Sequence, residues 1–304
     1  MSADLSRLSA ELAGLVESVK SGVAAVDVAH YRVASGVAIG EDLIAVANHS
    51  LRREPSTTVW TTQGGHAKAA ILGREPTLDL AVLRVEGAAF QPILPSATDS
   101  LQAGMLAVVV GMTKDVGPSV SLGVLGAVGH SRTTWRGGTL DQFLRVDANL
   151  YPSQSGAAVI DTEGRLIGLA TGALSRHSVI AIPTATIGRI AGELKNEGRI
   201  RRGYIGVGVQ PVELPSKLRE RSGITAESGL MLMSVEADSP AERAGSQIGD
   251  ILIALEGKPV SDIDELQAEL RGENVGRSVK ATVIRGGEAK EVVILIGERG
   301  DRNK

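Results

Sequence analysis

Short apolar runs separated by glycines set the strongest limit on what this chain can fold into. The 304 residues include 37 glycines. Many of them flank runs of valine, isoleucine, leucine and alanine, as in Ser35–Gly40 and Ser121–Gly126. Short apolar segments with turn residues between them are typical of β-barrels. The sequence therefore predicts a mainly β fold built from closed barrels.

The predicted strands fall into two groups, and a helix follows them. We assign 23–28, 32–39, 42–47, 57–61, 66–73, 79–85 and 105–110 to a first barrel, and 119–128, 141–148, 156–161, 165–171 and 178–182 to a second. After Pro183, apolar residues recur at helical spacing, which predicts an amphipathic helix. Residues 131–138 are predicted to form a loop.

Three polar residues stand in an order that suggests chemistry. His49 follows an apolar run, Asp79 opens one, and Ser155 lies in Tyr151-Pro152-Ser153-Gln154-Ser155-Gly156. A two-barrel protease of the chymotrypsin type requires the order His, Asp, Ser, because base and acid come from the first barrel and the nucleophile from the second. Taken singly, each residue also has an ordinary structural interpretation, so the joint order carries the prediction.

The residue types fit this chemistry. A serine hydroxyl is a weak nucleophile at neutral pH and needs a base within hydrogen-bond reach. Histidine can take the proton and return it to the leaving group, and a buried aspartate holds the imidazole in the required tautomer. Ser155, His49 and Asp79 are therefore the candidate catalytic residues.

Around these residues the chain resembles the HtrA (DegP-like) serine proteases with a C-terminal PDZ domain. The run Asp147–Ile160 is similar to the family's nucleophile motif, 46–50 to its Thr-Asn-X-His-Val motif, and Leu78–Leu83 to its Thr-Asp-Leu-Ala-Val-Leu motif. The similarity extends over residues 30–298. It implies a trypsin-like, two-barrel protease domain and hydrolysis of peptide bonds.

The resemblance implies an oxyanion hole on Ser153, Gln154 and Ser155, with the backbone N–H groups of Ser153 and Ser155 as donors. Here the sequence departs from the family, which has glycine at position 153. Glycine reaches backbone angles that a side chain disfavours, and loss of one donor costs about 100- to 1,000-fold in turnover. The family's Gly-Pro after the nucleophile motif is replaced by Ala157-Ala158, which we expect to crowd a tight turn.

The C-terminal third resembles a PDZ domain. Tyr204-Ile205-Gly206-Val207 is similar to the family's carboxylate-binding loop, and Leu266 and Leu270 are placed in the peptide groove. PDZ domains bind C-terminal peptides by adding a strand to an exposed sheet edge. For the two leucines, an ordinary core role is an equally good interpretation.

We divide the chain at changes in pattern. An amphipathic helix is predicted over 1–20, because leucines and valines between Leu5 and Val19 have helical spacing. A trypsin-like domain follows over 21–195, a linker over 196–203, a PDZ domain over 204–298 and a tail over 299–304. The resemblance implies a homo-oligomer, a trimer in most of the family, and the leucine-rich helix is a candidate contact.

Composition excludes several classes of function. The chain has no cysteine, a net charge of −3 and 2% aromatic residues, so disulfides are excluded and nucleic-acid binding is disfavoured. The histidines lack metal-ligand spacing, and we predict neither a metal nor a cofactor. No segment is long enough to span a bilayer, and there is no signal-peptide pattern, which predicts a cytoplasmic protein as written, or an exported one if the N-terminus is trimmed.

Two interpretations of function therefore stand. The first is an endopeptidase acting on unfolded or damaged polypeptides, with Ala170–Gly172 in the wall of the substrate site and the PDZ domain recruiting C-termini. The second is a catalytically impaired scaffold whose function is peptide binding by the PDZ domain. The departures at Ser153 and Ala157 motivate the second. A metal-dependent hydrolase has little support.

Overall fold

The computed structural model describes residues 2–28, 33–61, 65–198, 200–201, 203–270 and 274–298. The chain divides into two compact units, Met1–Ile200 and Arg201–Lys304. The tail predicted over 299–304 lies outside the described residues.

A closed six-stranded barrel forms the first half of unit 1. Its strands are β1 (Val23–Asp27), β2 (Val33–Ala38), β3 (Leu43–Ala47), β4 (Ser56–Trp60), β5 (His66–Glu75) and β6 (Leu80–Val85), paired antiparallel in the order β1-β2-β3-β6-β5-β4. This matches the predicted positions closely, because each apolar run is bounded by polar or glycine-containing turns.

A second closed barrel follows. It contains β7 (Leu106–Thr113), β8 (Gly117–Gly129), β11 (Phe143–Asp147), β12 (Ala158–Ile160), β13 (Leu166–Thr171) and β14 (Val179–Pro183), in the order β11-β14-β13-β12-β7-β8. Between β8 and β11, the strands β9 (Arg132–Thr133) and β10 (Thr139–Leu140) pair as a short ribbon. Part of the predicted loop 131–138 is therefore β-structure.

The assignment of 105–110 to the first barrel was wrong. The strand is β7, and it pairs with β8 and β12 of the second barrel. The chain has already crossed before β7 begins, because Leu166 donates its N–H to the carbonyl of Leu94 at 2.7 Å. A buried apolar strand does not reveal from its sequence which of two barrels it pairs with.

Some strands of the barrels are buried on both faces, and β1 shows the physical reason. In β1, Ala24 and Val26 point into the first barrel, whereas Val23 and Ala25 belong to a cluster shared with the second barrel and two helices. Those helices are α1 (Ser2–Val19) and α2 (Thr184–Glu197). The two barrels therefore pack against each other along fully buried strands, and the edges of this seam position the candidate site.

The helix α1 is amphipathic, as predicted, but only its second half is covered. Leu12, Leu15 and Val16 pack against the shared cluster. Leu5 and Leu8 are exposed at 66% and 46%. No helix in the described part of the chain is long and apolar enough to cross a membrane.

Unit 2 is a mixed α/β domain. Its main sheet has the order β16-β17-β18-β20-β21, and β19 pairs with β18. The elements are β15 (Gly203–Tyr204), β16 (Val207–Glu213), α3 (Ser216–Ser222), β17 (Ser228–Val235), α4 (Pro240–Arg243), β18 (Ile251–Leu255), β19 (Lys258–Pro259), α5 (Ile263–Glu269), β20 (Ser278–Arg285), β21 (Glu288–Leu295) and β22 (Gly297–Glu298). The strand β16 lies at one end of this sheet order.

Candidate active site

His49 lies in a single 3₁₀ turn, Asn48–Ser50, directly after β3. The backbone of this turn is bonded to Asp79: the Asn48 N–H donates to the Asp79 carbonyl at 2.9 Å, and the His49 N–H donates to Asp79 Oδ1 at 2.8 Å. The turn is therefore held against Asp79 by two N–H donors, one bonded to the backbone carbonyl of Asp79 and the other to its carboxylate.

The carboxylate of Asp79 is fully buried. It lies 2.7 Å from His49 Nδ1 and also accepts a hydrogen bond from the Thr171 hydroxyl. Asp79 has a positive φ of 54°, a left-handed conformation that aspartate tolerates better than most residues. Because Nδ1–H donates to Asp79, the free lone pair of the imidazole is on Nε2.

Ser155 follows the 3₁₀ turn Pro152–Gln154. Its Oγ lies 3.0 Å from His49 Nε2, within the reach that proton transfer to a base requires. The backbone of Ser155 is bonded across the seam, because the Ser35 N–H of β2 donates to the Ser155 carbonyl at 2.9 Å. The structure thus brings the three residues predicted as catalytic into one hydrogen-bonded chain.

The segment predicted to form the oxyanion hole is a tight turn in this structure. The Gln154 N–H donates to the Tyr151 carbonyl at 2.8 Å, and the Ser155 N–H donates to the Pro152 carbonyl at 3.3 Å. Ser153 is not among the residues with positive φ. In the described part of the chain, the Ser153 N–H donates to no group. One predicted donor is therefore unpaired, and the other makes a long, weak bond within its own loop.

Side chains around this turn hold it in place. Gln154 is fully buried, and its amide bonds the Tyr151 N–H, the Ser121 hydroxyl and the Ser119 carbonyl at 3.0–3.1 Å. From β2, the Ser35 hydroxyl donates to the Ser153 carbonyl at 2.6 Å. Gln154 therefore acts in the structure through its side chain, as a support beneath the nucleophile.

The residues after the nucleophile are buried and closely packed. Gly156 has φ +82°, and a Cβ there would lie 2.3 Å from the Ser35 carbonyl oxygen, so this position requires glycine. Ala157 and Ala158 are completely buried, and Ala158 begins β12. Ala157 closes a turn, because its N–H donates to the Gln154 carbonyl at 2.9 Å, and its methyl group lies in the core of the second barrel, whereas that of Ala158 lies in the cluster shared by both barrels.

A serine beside the histidine completes the cluster. Ser50 Oγ lies 3.0 Å from Ser155 Oγ and 3.5 Å from His49 Nε2. Neither this contact of Ser50 nor the bond from Thr171 to Asp79 was predicted from the sequence. The signal for Ser50 was present, since a hydroxyl directly follows the candidate base where the related motif has valine. Thr171 is separated from Asp79 by 92 residues, and its sequence context carries no such signal.

The candidate peptide site lies in unit 2. Gly206 has φ +81°, and a Cβ there would lie 2.2 Å from Ser239 Cβ, so the loop after Tyr204 depends on glycine. In the described residues, the N–H groups of Ile205 and Gly206 donate to no group, while their carbonyls accept from Ala241 and Glu236 at 2.9 and 2.8 Å. The loop therefore presents two unpaired donors just before the edge strand β16.

The remaining predicted peptide-site residues are partly or fully buried. Leu266 on α5 is buried, and Leu270 packs beside it against the unit's core. Ile205 is also buried in that cluster, and Val207 packs against it. The Tyr204 hydroxyl bonds the Glu236 carboxylate. The structure thus gives the two leucines core contacts, the second of the two interpretations that the sequence allowed.

Comparisons with known proteins agree with this arrangement. Residues 34–169 match the sequence model of the trypsin-like peptidase domain, and residues 203–296 match that of the PDZ domain. A probable periplasmic serine endoprotease, DegP-like, from Ectopseudomonas mendocina is 26% identical over 269 residues, and a protein of the same description from Brucella suis is 29% identical over 270. Each alignment covers 86% of this chain and 56% or 52% of the relative.

Solved structures show the same fold. The HtrA-type protease AlgW with a tripeptide matches with a TM-score of 0.80 at 25% identity, covering 96% of this chain and 98% of AlgW. A serine endoprotease from Yersinia pestis matches with a TM-score of 0.76 at 25% identity, covering 94% and 97%. The chain therefore carries a trypsin-like peptidase domain followed by a PDZ domain, and it is similar to HtrA-type proteases in sequence and in fold.

The similarity to curated relatives covers only part of their length. The chain spans about half the length of the curated relatives it matches, so their activities, substrates and partners do not transfer with the fold. In the described residues there is no cluster of three or more histidine and acidic side chains that could hold a metal ion. Support for activity comes from the geometry around Ser155.

Proposed function

We propose that the chain is a serine endopeptidase that hydrolyses peptide bonds of unfolded or damaged polypeptides. The observation that carries the proposal is the continuous hydrogen-bonded chain from Ser155 Oγ through His49 to the buried Asp79 carboxylate, with steps of 3.0 and 2.7 Å. These residue types at these distances are what nucleophilic acyl transfer requires.

In the proposed reaction, Ser155 Oγ attacks the scissile carbonyl while its proton passes to His49 Nε2. Asp79 stabilises the imidazolium that forms, and His49 then gives the proton to the leaving amine. Water attacks the acyl-enzyme with His49 acting again as base. The developing oxyanion needs two N–H donors, so the proposal requires the Ser155 N–H to exchange its bond with Pro152 for one with substrate. That bond is 3.3 Å long, so the exchange costs little.

Labelling with a fluorescent fluorophosphonate, alongside digestion of casein, tests the proposal. We expect the wild-type chain to be labelled and to cleave casein, and we expect both signals to vanish in Ser155→Ala, because this variant lacks the hydroxyl that attacks the substrate. A wild-type chain that is neither labelled nor active on casein contradicts the proposal.

A second candidate function has one specific observation in its favour. In the turn described above, the Ser155 N–H is paired within its own loop, and Ser153 carries a side chain where the family has glycine. An impaired protease acting as a peptide-binding scaffold would have such a loop. Ser153→Gly separates the two functions, since glycine lets residue 153 reach the angles that turn its N–H toward substrate.

For a working but slow enzyme, we expect Ser153→Gly to raise the labelling rate by about 10- to 100-fold, within the value of one oxyanion donor. The matched control is Ser100→Gly, which makes the same change in another single 3₁₀ turn of unit 1. A rate for Ser153→Gly no higher than that of wild type would show that residue 153 does not limit the reaction.

We propose further that unit 2 binds polypeptide C-termini. The two unpaired N–H groups of Ile205 and Gly206 are suited to hold a carboxylate, and β16 lies beside them at the end of the sheet order. A fluorescein-labelled decapeptide ending in valine should bind the chain, whereas the same peptide with a C-terminal amide should not. Equal binding of both peptides would contradict carboxylate recognition.

Assembly and location stay predictions. The exposed Leu5 and Leu8 on α1 are the candidate contact for a homo-oligomer, and light scattering of a Leu5→Ser, Leu8→Ser variant tests whether they hold one together. The relatives described above are named periplasmic proteins, and for this chain both a periplasmic and a cytoplasmic location are candidates. Fractionation of cells that produce the natural protein decides between the two compartments.

A further inference from the structure

Ser50 makes a contact with Ser155 that lies outside the hydrogen-bonded series Ser155–His49–Asp79. Its hydroxyl lies 3.0 Å from Ser155 Oγ, and Ser50 follows His49 within the same 3₁₀ turn. Its position is therefore fixed by the same hydrogen bonds that hold the turn against Asp79. A hydroxyl held this close to a nucleophile has a definite hydrogen-bond direction, which the neighbouring groups determine.

The direction of the bond between Ser50 and Ser155 follows from the number of protons that these hydroxyls and the His49 ring can donate. His49 Nδ1–H donates to Asp79, so Nε2 offers a single lone pair. Ser155 lies 3.0 Å from Nε2 and Ser50 lies 3.5 Å from it, so Ser155 donates to the imidazole. Having used its only proton, Ser155 Oγ can only accept from Ser50. The hydroxyl of Ser50 therefore donates to Ser155, and the chain runs from Ser50 through Ser155 and His49 to Asp79.

We propose that Ser50 is a positioning residue for the nucleophile. Its bond holds Ser155 Oγ in the rotamer that points at Nε2, and it stabilises the negative charge that Oγ gains as its proton leaves. During attack on a fluorophosphonate, the O–H bond of Ser155 breaks, the proton moves to Nε2, Oγ bonds to phosphorus and fluoride departs. Ser50 keeps its own proton throughout. This inference rests on the proposed function, because it assigns Ser50 to the attack by Ser155.

The test measures fluorophosphonate inactivation at several concentrations, which separates the binding constant KI from the first-order rate kinact. We expect Ser50→Ala to lower kinact about 5- to 10-fold, as for loss of one hydrogen bond of about 1 kcal/mol, and to leave KI within twofold. Ser50→Thr keeps a hydroxyl at the same place and should restore kinact to within about threefold of wild type.

The matched control is Ser100→Ala. Ser100 is also the last residue of a single 3₁₀ turn in unit 1, and among the described residues its hydroxyl bonds the nearby Ala97 carbonyl alone, at 2.8 Å. Removing it tests whether loss of any turn-end hydroxyl slows the reaction. We expect kinact and KI of this variant to equal those of wild type.

Three outcomes would overturn the inference. Inactivation of Ser50→Ala at the wild-type kinact would show that the contact does no positioning. Equal slowing in Ser50→Ala and Ser50→Thr, with lower melting temperatures in both, would assign Ser50 to local packing. If the wild-type chain itself is not labelled, the proposed nucleophilic function fails and the inference with it, and the unlabelled wild type distinguishes this case from the other two.

Discussion

Two buried aspartates, one in each unit, are satisfied by different kinds of partner. Asp250, at the start of β18 in unit 2, accepts two bonds from the Arg285 guanidinium at 2.7 and 2.6 Å, and its side chain is 1% exposed. Asp79 is equally buried, but its partners are the His49 ring, the Thr171 hydroxyl and a backbone N–H. In the described residues, His49 is the one basic side chain within ion-pair distance of Asp79.

Because of this difference, we expect the charge of Asp250 to contribute to stability and the charge of Asp79 to contribute to the proposed reaction. The charge of Asp250 is balanced at all times, because arginine stays protonated. The charge of Asp79 faces neutral partners until His49 gains a proton, so its electrostatic attraction is fully used only when imidazolium forms. Removing Asp250 should therefore reduce stability, whereas removing Asp79 should reduce the rate of the proposed reaction.

The largest expected effect comes from Asp79→Asn. Asparagine keeps the size and tolerates the left-handed backbone, but it no longer favours the Nδ1–H tautomer or the imidazolium. We expect the rate of fluorophosphonate labelling to fall by about 10,000-fold, as for this substitution in other triads, with little change in the melting temperature. Asp42→Asn, which loses an exposed ion pair with Arg84 in the same barrel, is the control and should label normally.

The converse variant is Asp250→Asn. It leaves Arg285 without a charged partner, and we expect the free energy of unfolding of unit 2 to fall by about 3 kcal/mol. Hydrogen exchange of peptides from β18 and β20 measures the loss. Glu227→Gln removes an exposed partner of Arg219 in the same unit and should change exchange by less than about 0.5 kcal/mol. Slower labelling of Ser155 in the Asp250 variant would contradict the distinction between a stabilising aspartate in unit 2 and a reactive one in unit 1.

A smaller effect is expected for Thr171→Val. The substitution keeps the shape and removes the hydroxyl that donates to Asp79, so the carboxylate has one bond fewer with which to orient His49. We expect labelling about 10-fold slower, with Thr171→Ser close to wild type. If Val and Ser at this position label equally fast, the hydroxyl does not contribute to orientation.

The smallest expected effect is on the pH dependence of the stability that Asp250 contributes. Burial raises the pKa of Asp250, but the hydrogen bonds from Arg285 and from the Gln247 N–H outweigh it and hold the pKa below its ordinary value of 3.8. Because the pKa is lower in the folded state, the ionised carboxylate stabilises the fold at pH values above its ordinary pKa. This stabilisation is lost as the pH falls from the ordinary pKa through the lowered one. The difference in free energy of unfolding between wild type and Asp250→Asn should therefore become smaller below about pH 4. Hydrogen exchange measures this difference. A constant difference would contradict this assignment.

The order of motifs predicted much of the candidate site. His49, Asp79 and Ser155 each lie in a short local pattern, and the fold places all three within hydrogen-bond distance. The class of fold was also predicted correctly, since strand period and turn residues are local properties. The catalytic roles themselves stay predictions.

What the sequence could not supply depends on distant pairs. Arg285 meets Asp250 across 35 residues and Thr171 meets Asp79 across 92, and no local pattern announces either pair. The strand β7 was assigned to the wrong barrel for the same reason, because pairing partners are chosen by tertiary packing. The burial of Ala157 and Ala158 depended on how the chain leaves the nucleophile turn, which the sequence did not reveal.

Ser35 has a consequence for how the chain matures. This one residue of β2 bonds the carbonyls of Ser153 and Ser155, and its own carbonyl lies against Gly156. Both barrels belong to one compact unit and share a buried cluster, and the first barrel holds the base and the acid but not the nucleophile. The hydrogen-bonded chain proposed for catalysis therefore forms only when the second barrel has closed against β2, so a partly folded chain carries no assembled triad.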